Sequence, residues 1–93
     1  MRYVKVACDH ELEDEPVLYF SELGEDDYET RKVQIYRDGR SEWADESKED
    51  EKVGLSEIAF PPVEDISMQP EFTAEEISAD EFESVWRASR SAD

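Results

Sequence analysis

The chain has 93 residues, 27 Asp and Glu against 10 Lys and Arg, a formal net charge of -17 and a mean hydropathy of -0.84. That length fits one domain, residues 1–93, and a hydrophobic content of 38% with 11% aromatics supports a thin core rather than plain disorder. A chain this negative is repelled by DNA and by anionic membranes, which leaves a basic protein as the favoured partner, or solubility as the sole purpose of the charge.

The N-terminus, MRYVKVACDHE, meets acid at once and has no long apolar stretch, so it does not read as a secretory signal. No apolar run approaches the ~20 residues that span a bilayer, and the lone Cys8 has no mate for an internal disulfide. A reducing cytoplasm is the expected compartment. Arg2 to Cys8 alternates, with Tyr3, Lys5 and Ala7 on one side and Val4, Val6 and Cys8 on the other, which predicts a strand. The acidic loop DHELEDE follows and ends at Pro16. Val17 to Leu23 is rich in β-formers and predicts a second strand. GEDD reads as a turn and Tyr28 to Tyr36 as a third strand. Asp38-Gly39 is the strongest short hairpin signal, because both central positions of a two-residue turn need positive φ. Ser41 to Ala44 begins a fourth strand.

DESKEDEK, residues 45–52, reads as a solvated charge run. Val53 to Phe60, with Gly54, reads as a short strand or extended segment, closed by Pro61-Pro62. VEDISMQ predicts one helical turn with Pro62 near its first position, stopped by Pro70. In EISADEFESVWRASR, Ser78 and Glu81 form a capping box, and Phe82, Val85 and Trp86 share one helical face. Arg87 and Arg90 stand in the last turns, where cations complement the helix dipole. The expected fold is α+β: an antiparallel meander of about four strands with a C-terminal helix packed on one face, Trp86 lying on Val33 and Ile35.

Four of the ten basic residues, Arg31, Lys32, Arg37 and Arg40, fall within RKVQIYRDGR. Pairing the second and third strands around GEDD sets Phe20 opposite Arg31, Leu18 opposite Val33 and Glu22 opposite Glu29. Arg31 then lies on the core side with Glu22 as its diagonal neighbour, which predicts a structural ion pair rather than an anion site. The other face should carry Tyr19, Lys32, Gln34 and Tyr36, joined by Trp43 opposite Gln34. Aromatics exposed among charges resemble an interface hot spot. The alternative is that the segment from Val53 to Gln69 folds over them.

No motif carries catalysis. Cys8 and His10 point the same way on a strand, but structural zinc needs four ligands at spacings this chain lacks. A Cys-His nucleophile needs an oxyanion hole as well. DHELEDE has neither the glycine nor the ligand spacing of an EF-hand loop. No metal, cofactor or enzymatic activity is therefore expected.

YVKV near the start, His10, DEPVLYFSEL (14–23), YETRKVQIYRDGR (28–40), PPVEDI (61–66) and EEISADEFESVW (75–86) together resemble a family of small bacterial proteins known mainly as a domain of unknown function. Such domains resemble immunity proteins encoded near bacterial toxins. The resemblance implies an inhibitor, and it brings no catalytic residues. The segment ADESKEDEKVGLSEIAF departs from it, with more charge and less glycine.

The expected function is a non-enzymatic acidic binding protein, an immunity-type inhibitor of a basic partner such as a nuclease toxin. The alternatives are a DNA mimic that blocks a defence or nucleic-acid-binding protein, and a small-ligand or enzymatic domain using the open sheet face. The candidate partner-binding residues are Glu11, Glu13, Asp14, Glu15, Glu25, Asp26, Asp27, Glu46, Glu49 and Asp50, with Tyr36 and Trp43 as aromatic anchors.

Overall fold

The computed structural model describes residues 1–9, 15–46 and 59–91. Five strands and two helices follow one another as β1 (Arg2–Cys8), β2 (Leu18–Leu23), β3 (Glu29–Ile35), β4 (Ser41–Asp45), α1 (Val63–Ser67), β5 (Phe72–Glu76) and α2 (Ala79–Ser91). The strands form one open antiparallel sheet in the order β4-β3-β2-β1-β5. The fold is α+β as expected, with five strands rather than about four. The possible strand at Val53 lies outside the described residues up to position 58.

The added strand is β5. Its sequence, FTAEE, has one bulky apolar residue, and Ala and Glu are poor strand formers. It forms because β1 offers it a free edge, pairing Val6 with Ala74 and Cys8 with Phe72. Its own outer edge is closed by Ser67, whose hydroxyl accepts the Ala74 N–H at 3.1 Å and donates to the Ala74 carbonyl at 3.2 Å. One side chain thus takes the place of a sixth strand and blunts the edge.

Alternation along the strands divides the core in two. On one face Phe20 and Val33 pack against Phe82 and Trp86 of α2, with Tyr3, Leu18, Ile35 and Trp43 at the margin. On the other, Val4, Val6, Leu23 and Ala74 pack beneath Phe60, Val63, Ile66 and Phe72. Helix α2 begins where the capping box places it: Ser78 Oγ accepts the Glu81 N–H at 3.1 Å. Phe82 and Trp86 are 0% and 5% exposed. Pro62 caps α1 instead of opening it, and its carbonyl accepts the Asp65 and Ile66 N–H groups.

Two registers differ from expectation. Between β2 and β3 the pairs are Leu18 with Ile35, Phe20 with Val33 and Glu22 with Arg31, a slip of two residues, with a bulge at Glu22/Leu23. A slip of two keeps every side chain on its face, so Arg31 remains on the core side, directly opposite Glu22. Between β3 and β4 the slip is one residue, and one residue reverses the face. Trp43 pairs with Val33 rather than Gln34, so it lies on the α2 side, away from Tyr36. The cause is the turn. Gly39 alone has positive φ, at 93°, and Asp38 does not. Gly39 N–H donates to the Tyr36 carbonyl and Tyr36 N–H to the Arg40 carbonyl. This is a three-residue loop with a glycine bulge, not the two-residue turn that Asp-Gly suggests.

Candidate partner-binding surface

The acidic turn after β2 uses the same loop as the Gly39 hairpin. Gly24 N–H donates to the Tyr28 carbonyl and Asp27 N–H to the Gly24 carbonyl, each at 3.0 Å. Asp27 takes the left-handed position, φ 64°, which Asp tolerates better than most side chains. Asp26 Oδ1 accepts the Tyr28 N–H at 3.1 Å and tightens the turn. Glu25 and Asp26 are left exposed at its tip.

Strand registers bring this turn, the end of β4 and the end of β5 to the same end of the sheet. Glu25, Asp26, Asp27, Asp45, Glu46 and Glu76 therefore gather there. Arg2 lies among them, bonding Asp27 through Nη1 at 2.8 Å and Glu76 through Nη2 at 3.0 Å. Glu15 is exposed at the opposite end. Glu11, Glu13, Asp14, Glu49, Asp50 and His10 lie outside the described residues.

The two aromatics expected to anchor a partner do not form one patch. Tyr36 is buried, its hydroxyl donates to Glu42, and the Arg40 guanidinium stacks 4.8 Å from its ring centroid. The Glu42 bond, with burial behind it, pushes the phenol up to about 12. Trp43 is half-buried on the other face, edge-on to Trp86 at 5.3 Å, with Arg90 5.2 Å from its ring.

The basic hairpin binds its own carboxylates. Arg31 clasps Glu22 and Glu83 with a fork on each, Nε to Glu22 Oε1 at 2.9 Å and Nη1 to Glu83 Oε2 at 3.3 Å, while Nη2 reaches both. Its guanidinium lies 5.0 Å from the rings of both Phe82 and Trp86. These bonds raise the Arg31 pKa and hold the Glu22 carboxyl below its ordinary value, against burial and with help from the Thr30 hydroxyl. Glu83 is lowered by the same Arg31 bonds. Lys32 pairs with Glu29 at 3.1 Å, and Arg40 with Asp38 at 2.8 Å. Sequence reasoning found Glu22 and missed Glu83. The available signal was its place beside Phe82 on the face of α2 that meets the sheet.

A feature the sequence did not announce lies on the α1 face. A cleft of about 290 Å³ is lined by Val6, Cys8, Tyr19, Ser21, Glu29, Lys32, Phe60, Pro61, Ile66 and Phe72. Burial raises the Cys8 thiol and the Tyr19 phenol. Ser21 donates to Glu29 Oε2 at 2.7 Å, so the Glu29 carboxylate, 2% exposed, is held by a hydroxyl and an ammonium. Among the described residues, no three His, Cys, Asp or Glu side chains are placed to hold a metal ion, and no helix is long and apolar enough to cross a membrane.

Fold and site together define a small α+β domain with an acidic surface. The chain belongs to the family described as domain of unknown function (DUF6881), whose model matches residues 2–91. No curated protein and no solved structure matches it.

Proposed function

We propose that the protein is a non-enzymatic binding module that docks a basic protein through its carboxylate surface, in the manner of an immunity-type inhibitor covering a toxin. One observation carries the reading: most of the cations among the described residues are engaged by groups of the chain itself. Arg2, Arg31, Lys32 and Arg40 are in ion pairs, and Lys5 and Arg90 lie over aromatic rings. The exposed carboxylates of Glu15, Glu25, Asp26, Glu46, Glu64, Asp65, Glu71, Glu75, Asp80 and Glu81 then set the sign of the field a partner meets. A cationic surface that normally holds phosphates matches that field. Such steering acts on the association rate more than on dissociation.

The test is capture of a partner from the native host, followed by binding kinetics at two salt concentrations. The on-rate falls steeply with salt, because exposed charges are screened beyond ~8–10 Å at physiological ionic strength. The triple variant Glu25→Gln, Asp26→Asn, Glu46→Gln lowers the on-rate without unfolding the protein. An on-rate indifferent to both salt and the variant reduces the charge to a solubility device. A captured nucleic-acid-binding defence protein in place of a toxin would recast the same surface as a DNA mimic.

A further inference from the structure

We infer that the cleft on the α1 face receives one bulky neutral side chain, an indole or phenol, from a basic partner segment in which cationic residues flank it. The inference rests on the proposed function and deepens it by naming the contact. The cleft of about 290 Å³ lies near the lower limit for small-molecule sites, ~300 Å³, and well above the ~150 Å³ that accepts a benzene. It therefore suits a one- or two-ring group.

Its floor is Val6, Tyr19 and Ser21, and its walls are Phe60, Pro61, Ile66 and Phe72. Helix α1 buries none of its own residues, so it stands beside the cleft without sealing it. Phe60, Ile66 and Phe72 stay half-buried. Apolar surface kept open in so hydrophilic a chain calls for a partner.

The charge pattern selects that partner. Glu64 and Asp65 directly precede Ile66, and Glu71 precedes Phe72, and all three are exposed beside cleft-lining residues. Glu71 acts on the Cys8 thiol and Glu15 on the Tyr19 phenol, so negative charge faces that end of the cleft. Inside, Lys32 and Glu29 line the cleft as an ion pair at 3.1 Å, each already engaged by the other, so the interior favours a neutral group. An apolar knob within and cations outside satisfy both conditions, as in a hot spot sealed by a charged ring.

The probes are two capped pentapeptides, one with tryptophan between two pairs of lysines and one with alanine in its place, and free indole. Binding is followed by two-dimensional amide NMR. The tryptophan peptide shifts the amides of Val6, Ser21 and Phe72 and binds about tenfold or more tightly than the alanine peptide. The plug Cys8→Trp abolishes that preference and leaves alanine-peptide binding unchanged. Ile66→Trp closes the cleft from α1 and serves if the first plug does not fold. Equal affinity for the two peptides, untouched by either plug, overturns the inference and leaves the acidic-docking reading standing. Absence of binding by both peptides at low salt overturns the docking reading as well. Free indole binding as tightly as the tryptophan peptide would make the cleft a small-molecule site and overturn the inference.

Discussion

Arg31 and Lys32 are consecutive in the chain and enter opposite faces of the same sheet, each beside a buried carboxylate. On the α2 face Arg31 is clasped by two forks to Glu22 and Glu83 with two aromatic rings beside it, and its remaining edge borders a hollow shared with Thr30, Asp45 and Glu46. On the α1 face Lys32 bonds Glu29 at the margin of an open cleft. A planar guanidinium can bridge two carboxylates and stack on rings at once, whereas an ammonium is a compact point charge. One face therefore reads as a scaffold locked through its arginine and the other as the face with an apolar cleft.

The largest effect separates the faces by packing. Trp86→Ala opens a cavity in the sealed face and should cost about 3–5 kcal/mol in denaturant melts, enough to unfold so small a domain. Phe72→Ala removes a ring that is already half-exposed and should cost less than half as much. Equal losses would remove the distinction between sealed and open faces.

The charges sharpen it. Arg31→Met leaves the Glu22 carboxylate buried without its cation and should cost roughly 3 kcal/mol. Adding Glu22→Gln should return only part of that, because the stacking on Phe82 and Trp86 and the bond to Glu83 are lost as well. On the open face Glu29 is bonded to Ser21 as well as to Lys32, and a glutamine in its place still offers that hydroxyl an acceptor. The double variant Glu29→Gln, Lys32→Met should therefore recover most of what Lys32→Met loses. Additive single effects within either pair in a double-mutant cycle would show that the partners do not act as units.

Much of this was legible in the sequence. Alternation placed the first strand, β-former content the second and the GEDD turn the third, and spacing placed α2 with Trp86 on Val33. A slip of two residues left the faces of Phe20, Arg31 and Val33 unchanged. What was not legible depends on contacts distant in sequence or on one backbone angle. FTAEE carries too little apolar alternation to announce a strand until β1 lends it an edge. Trp43 changed faces because Gly39, and not Asp38 with it, took positive φ. The cleft depends on where α1 lies beside β5, which no local pattern in PPVEDI encodes.

Acid should act on the sealed face in a definite direction. The Glu22 carboxyl sits below its unfolded value, so the unfolded chain takes up that proton first as pH falls. Its contribution is complete above the unfolded carboxylate range near ~4.3 and is lost as pH drops through the folded value. Relief of self-repulsion works the other way as the remaining carboxylates are neutralised. The difference between the wild type and Glu22→Gln isolates the single group. Melts between about pH 7 and about pH 3 should show that gap narrowing below about pH 4. A gap that is constant or widens toward acid would mean Arg31 does not hold Glu22 ionised.

The smallest effect compares two buried serines, one on each face. Ser21, 2% exposed on the open face, donates to Glu29 at 2.7 Å. Ser89, 3% exposed, lies on α2 three residues after Trp86, and its hydroxyl has no hydrogen-bond partner among the described residues. Nothing in the structure explains a serine there. A buried hydroxyl without a partner costs its desolvation, and serine is also a poorer helix former than alanine. Ser89→Ala should therefore raise stability by about 0.5–1.5 kcal/mol. Ser21→Ala takes a bond from a carboxylate that is itself buried, and should lower stability by about 1 kcal/mol or more. The two substitutions are the same chemical change and differ only in what the hydroxyl meets. If Ser89→Ala destabilises as Ser21→Ala does, the hydroxyl on α2 has a partner in solution, and the sealed face is less dry than its packing implies.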